Sequence, residues 1–105
     1  MKELSVADLA KALRESPEKV TLIDVREQGE WDQVRVDGAT LMPLSQWPAI
    51  AEQQLPKNGT YHMMCAAGVR SARAAEWMME NGYGDVINVT GGMKAWLMEG
   101  LPVEG

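Results

Sequence analysis

This 105-residue chain has one cysteine, one histidine and no phenylalanine. A single cysteine rules out an internal disulfide, so the fold must be held by its core. That suits a reducing compartment, and a cytoplasmic location is the expectation. One histidine beside one cysteine is too few ligands for a dedicated zinc or iron site, so no metal and no other cofactor is expected. Positive charge is also scarce, with 10 Lys+Arg against 15 Asp+Glu and a formal net charge of −5. An acidic domain gains nothing from a phosphate backbone, which argues against nucleic-acid binding. Trp31, Trp47 and Trp96 are scattered and make no stacking platform for bases. No apolar run approaches the length of a membrane span, so no membrane partner is expected. The opening MKELSVADLAKAL carries early acidic residues and no continuous apolar stretch, unlike a signal peptide.

What is present is 46% hydrophobic residues, enough for a packed core in one domain over residues 1–105. Ser5 with Asp8 three residues on reads as a capping-box variant. The helix behind it shows Leu9, Ala12 and Leu13 as its apolar stripe and stops at Ser16-Pro17. Val20 to Ile23, ending at Asp24, is a short apolar and β-branched run, a buried strand. Glu27 to Gln33 offers one or two helical turns, and Thr40-Leu41-Met42 a short strand before Pro43. Ser45 is placed to cap a helix from Gln46 to Gln54, and Asn58-Gly59 marks a turn. Then come a strand Thr60–Met64, a loop Cys65–Val69, and a helix from Arg70 or Ser71 to Glu80. A strand Asp85–Val89, a turn at Gly91-Gly92 and a helix Met93–Glu99 complete the chain. Strands alternating with helices predict an α/β fold, a mostly parallel sheet with helices on both faces. Ligands of such sheets collect at the carboxyl ends of the strands, where Cys65 falls.

The segment Cys65-Ala66-Ala67-Gly68-Val69-Arg70-Ser71 turns a lone cysteine from a core filler into a candidate nucleophile. Backbone N–H groups at a strand-to-helix turn converge into an anion-binding nest. The following helix adds partial positive charge at its N-terminus. Gly68 permits a backbone conformation that other residues avoid, and Arg70 adds a full charge. All four effects favour thiolate over thiol. The loop places four residues between Cys65 and Arg70. That is one fewer than a cysteine phosphatase needs to wrap a tetrahedral phosphate, and it suits a single sulfur atom.

These residues carry a family resemblance over nearly the whole chain. The matching pieces are Leu22-Ile23-Asp24-Val25-Arg26-Glu27, Glu30-Trp31, Gly38-Ala39, Pro43-Leu44 and Cys65 through Ala75. Gly91-Gly92-Met93, Ala95-Trp96 and Gly100-Leu101-Pro102-Val103 follow in order. The chain resembles the rhodanese-like sulfurtransferase domain. The resemblance implies a three-layer fold around a five-stranded, mostly parallel sheet. It implies sulfane-sulfur transfer through a cysteine persulfide, from a donor such as thiosulfate to cyanide or a thiol. On it the catalytic positions fall on Cys65 and Arg70, and the substrate cradle on Ala66, Ala67, Gly68, Val69 and Ser71. Asp24 and Arg26 fall on structural positions, tying the strand end by an ion pair. The implied partners are a small sulfur-containing anion and a thiol or protein acceptor. Arg35 stands where the family often has histidine, which implies altered local packing rather than lost chemistry. Protein-to-protein sulfur relay with little thiosulfate turnover is the alternative.

The remaining polar and sulfur residues read as structural. His62 alternates with its neighbours along a strand, so it faces away from them and is expected to be buried and hydrogen-bonded. Met63, Met64, Trp77 and Met78 read as packing. Asp24, Arg26, Glu27 and Glu30 read as a structural charge network. Gly91-Gly92-Met93-Lys94 lacks the spacing of a phosphate loop and reads as a plain turn.

Overall fold

The computed structural model describes the whole of Met1–Gly105. Its strands are β1 Lys2–Leu4, β2 Leu22–Asp24, β3 Ala39–Leu41, β4 Thr60–Met64 and β5 Asp85–Val89. Its α-helices are α1 Val6–Glu15, α2 Gln28–Gln33, α3 Ala49–Gln54, α4 Val69–Glu80 and α5 Gly92–Met98. One five-stranded sheet runs in the order β1-β5-β4-β2-β3, with every pairing parallel.

Parallel strands need crossovers, and the helices that supply them cover both faces. Period-two alternation sorts the strand residues between two cores. Ile23, Met63, Cys65 and Val86 pack with Ala51, Ala74, Ala75 and Met78 on the α3–α4 side. Leu22, Met64 and Val89 pack with Val6, Leu9, Met93 and Trp96 on the α1–α5 side. Methionines thus fill both layers, and Trp77 packs edge-on against Trp47 with ring centroids 5.9 Å apart.

Ser5 caps α1 as the pattern predicts, its Oγ accepting the Asp8 N–H at 3.1 Å. The buried stripe is Val6, Leu9 and Ala10, however, with Ala12 and Leu13 only half-buried. Two differences have tertiary causes. β1 carries two charged residues in three positions and shows no apolar pattern; its edge pairing to β5 alone makes it a strand. The helix expected from Gln46 begins at Ala49, behind a 3-10 turn at Leu44–Gln46. Ser45 does not cap it. Its Oγ donates to Glu27 Oε1 at 2.7 Å, and Trp47 Nε1 donates to the Met42 carbonyl at 2.9 Å. These longer-range bonds override the local helical start.

Candidate active site

β4 is the middle strand of the sheet. The chain leaves β2 toward β3 on one side and β4 toward β5 on the other, so the loops beyond these strand ends part and open a crevice. Cys65 is the first residue after β4 and sits in this opening. Its side chain shares the α3–α4 face with Met63 and Tyr61. His62 and Met64 point to the opposite side, so His62 is no base for the thiol.

The turn wraps the sulfur closely. Gly68 has φ +95°, caps α4, and donates its N–H to Cys65 Sγ at 3.1 Å. This is the positive φ that the sequence pattern required of it. Ser71 Oγ lies 3.3 Å from Sγ. Burial pushes the Cys65 thiol up, but the Ser71 hydroxyl and the N–H groups of Ser71, Ala67 and Gly68 outweigh it. The net shift is below the ordinary thiol value. The N-terminus of the 12-residue α4 points the same way. The residue is only 1% exposed, so a reacting atom must enter the loop itself to reach the sulfur. A single sulfur atom is small enough to do so.

Two of the expected site residues have partners that the sequence did not name. Arg70 reaches Cys65 with its charge but is paired with Glu30. Its Nη1 and Nη2 donate to Glu30 Oε1 and Oε2 at 2.7 and 2.8 Å, a two-pronged pair. Ser71 is fully buried beneath the loop, so it reaches the site only through its contacts with the sulfur. It holds Cys65 from below and donates to Asn88 Oδ1 at 2.6 Å. Ala66 and Ala67 offer only backbone groups, and Val69, which already opens α4, is 62% exposed.

Asn88 and Gly91-Gly92 were not singled out as part of the site by their sequence. Asn88, buried in β5, accepts from Ser71 and donates Nδ2 to the Gly68 carbonyl at 3.3 Å. It therefore joins the floor of the loop to its glycine. Gly91 caps α5 with φ +78°, and Gly92 follows at φ +53°. The α5 N-terminus then grips the loop from the side, Met93 N–H donating to the Cys65 carbonyl at 2.8 Å and Lys94 N–H to that of Ala66 at 2.9 Å. A Cβ at Gly92 would collide with the Cys65 carbonyl oxygen and the Ala66 carbonyl. The double glycine is thus a clamp on the loop rather than a plain turn. Only the fold brings it there, since it is distant in sequence.

The charge run beside β2 forms the other wall. Asp24 and Arg26 make a buried ion pair, with Arg26 Nη2 2.8 Å from Asp24 Oδ2 and 2.7 Å from the Val34 carbonyl. Glu27 and Glu30 form a capping box on α2, and Glu30 also holds Arg70. The guanidinium of Arg70 holds the Glu30 carboxyl down at about 2. Arg35 exchanges backbone hydrogen bonds with Glu104 at 2.8 Å, and its guanidinium lies 5.6 Å from the centre of the Trp31 ring. His62 is buried, as expected, but its Nδ1 has no hydrogen-bond partner. Burial pushes its pKa down, so neutral imidazole is favoured.

Comparison with known proteins shows the family to which this fold belongs. The family model for the rhodanese-like domain matches residues 5–99. A sulfurtransferase of Allochromatium vinosum is 34% identical over 101 residues, 96% of this chain and 92% of that protein. The putative sulfur carrier protein YrkF of Bacillus subtilis is 34% identical over 82 residues. The match takes 78% of this chain and 44% of YrkF. The crystal structure of a rhodanese-like domain protein from Staphylococcus aureus matches with a TM-score of 0.85 at 37% identity, with both chains fully covered. No helix is long and apolar enough to cross a membrane.

Proposed function

The chain belongs to the rhodanese-like domain family, and from that premise we propose that it moves sulfane sulfur as a persulfide carried on Cys65. The observation that carries the reading is the anion cradle around Cys65 Sγ, made of the Gly68, Ala67 and Ser71 N–H groups and the Ser71 hydroxyl. The cradle stabilises a thiolate, and by the same dipoles it stabilises the terminal sulfur of a persulfide, which is also anionic.

In the first half-reaction the thiolate attacks the outer sulfur of the donor. With thiosulfate, the donor S–S bond breaks, sulfite leaves with the electron pair, and Cys65 becomes a persulfide. In the second, cyanide or a thiol attacks the outer sulfur, the protein S–S bond breaks, and the thiolate returns. No net oxidation of the protein occurs, and the cycle is ping-pong. Arg70 supplies positive charge at the rim, damped by Glu30. Asp24 and Arg26 tie the end of β2 to the backbone at Glu30 and Val34.

A second reading is a relay in which Cys65 receives sulfur from another protein. The pairing of Arg70 with Glu30 favours it, because it leaves little charge free to capture a small dianion. The putative sulfur carrier role in the name of YrkF is in keeping with it.

The test is intact mass after incubation with thiosulfate, beside Cys65→Ser. A gain of about one sulfur atom on the native chain alone, reversed by cyanide, is the expected result. Loading of Cys65→Ser would remove the assignment. No loading from thiosulfate, with rapid loading from a protein persulfide, would favour the relay.

A further inference from the structure

Resting on the sulfur-transfer reading, we propose that Glu30 is a specificity-determining residue, which biases Cys65 toward organic persulfide donors and against thiosulfate. The Glu30 carboxylate is held in place twice over. Oε1 accepts from the Glu27 N–H at 3.1 Å and from Arg70 Nη1 at 2.7 Å, and Oε2 accepts from Arg70 Nη2 at 2.8 Å. Glu27 is itself held by Ser45, whose Oγ and N–H donate to its two oxygens. Glu30 and Arg70 are both about a third exposed, so the pair stands at the rim, and Glu27 adds a second negative charge within reach of Arg70. Arg26, whose charge also reaches Glu30, is neutralised by Asp24, so the two carboxylates of Glu27 and Glu30 against the Arg70 guanidinium leave this wall of the rim negative.

A thiosulfate dianion brings three sulfonate oxygens that need donors outside the cradle. Ala66, Ala67 and Val69 have no side-chain donors, and the Nη groups of Arg70 face Glu30. A persulfide R–S–SH brings no oxyanion. Its outer sulfur needs only the N–H cradle. The Cys65 thiolate attacks that sulfur, the donor S–S bond breaks, R–S⁻ leaves, and Cys65 holds the new S–SH. Atoms and charge balance without an oxidant or reductant.

Glu30→Gln tests this cleanly, because glutamine at this helix position still accepts the Glu27 N–H and keeps the capping box. Loading of Cys65 is followed by quenched intact mass against the concentration of thiosulfate and of 2-hydroxyethyl persulfide. The wild type is expected to load faster from the persulfide. Glu30→Gln is expected to raise the thiosulfate-to-persulfide ratio of second-order loading constants by roughly three- to tenfold, as for a dianion relieved of one screened charge. The gain should lie in the half-saturating thiosulfate concentration and vanish in Glu30→Gln/Arg70→Ala. A ratio indifferent to Glu30→Gln, or a wild type that prefers thiosulfate, overturns the inference while leaving sulfur transfer intact. Loading from neither donor overturns the inference, and a protein persulfide that also fails to load Cys65 overturns sulfur transfer with it. Should the variant not fold, the salt dependence of the wild type decides. Thiosulfate loading must accelerate with ionic strength more than persulfide loading, and equal responses refute the role of the rim.

Discussion

Replacing Ser71 by alanine probes the electrostatics of the thiol most directly. Asn88 Nδ2 donates to the Gly68 carbonyl, which turns Oδ1 toward Ser71. An amide oxygen only accepts, so the single Ser71 hydrogen goes to Asn88 while Cys65 is a thiol, and Cys65 donates to Ser71 Oγ. When Cys65 ionises, the hydroxyl must rotate to serve the thiolate, and Asn88 Oδ1 loses its donor. A hydrogen bond to a charge contributes about 1.5–3 kcal/mol, and a neutral one about 0.5–1.5 kcal/mol. The net support for the thiolate is the difference, about 1 kcal/mol, or about a fivefold change in the thiol–thiolate ratio. Ser71→Ala should therefore move the midpoint of the pH–rate profile for Cys65 alkylation to higher pH. The drop in alkylation rate on the acid side of that midpoint should be about fivefold, not the hundredfold of a wholly lost charged bond. Asn88→Ala should move the midpoint the other way, since it frees the hydroxyl for the sulfur. An unchanged midpoint in Ser71→Ala, or shifts of the same sign in both variants, would refute the shared-hydrogen argument.

Other outcomes follow from the same contacts. Gly92→Ala places a Cβ against the Cys65 carbonyl in left-handed backbone; urea unfolding should show a loss of about 3 kcal/mol, from backbone strain and two weakened hydrogen bonds. Wild-type stability there would mean the α5 clamp is loose. Asp24→Ala leaves Arg26 buried and uncompensated and should cost about 3–5 kcal/mol by the same measurement, with a loss under about 1 kcal/mol contradicting the buried pair. Glu30 has its folded value depressed from 4.5 to about 2, so its contribution is present above the unfolded value and is lost as pH falls through the folded one. Acid unfolding of Glu30→Gln should lack that component between these values; superimposable profiles would show that the pair does not persist in solution. Because both charges are partly exposed, the effect should be small.

The composition and order of this chain determined its class. Alternating apolar runs and capped helices can be arranged economically only as a covered parallel sheet, and Cys65 lies at a strand end by that logic. Gly68 was legible too, because a tight turn before a helix needs a positive φ. So was the Asp24–Arg26 pair, through the resemblance. The chain alone could not say where Arg70 would spend its charge. That depended on Glu30 arriving 40 positions away in sequence, and long-range ion pairs leave no local pattern. Ser71, placed in the cradle by the resemblance, became its floor once α4 was seated on the sheet. Asn88 and Gly92 joined the loop only when β5 and α5 packed beside it. Local periodicity reports which face of an element is apolar. It carries no information about which distant polar group will meet that face, and those meetings decided how the sulfur is held and what charge surrounds it.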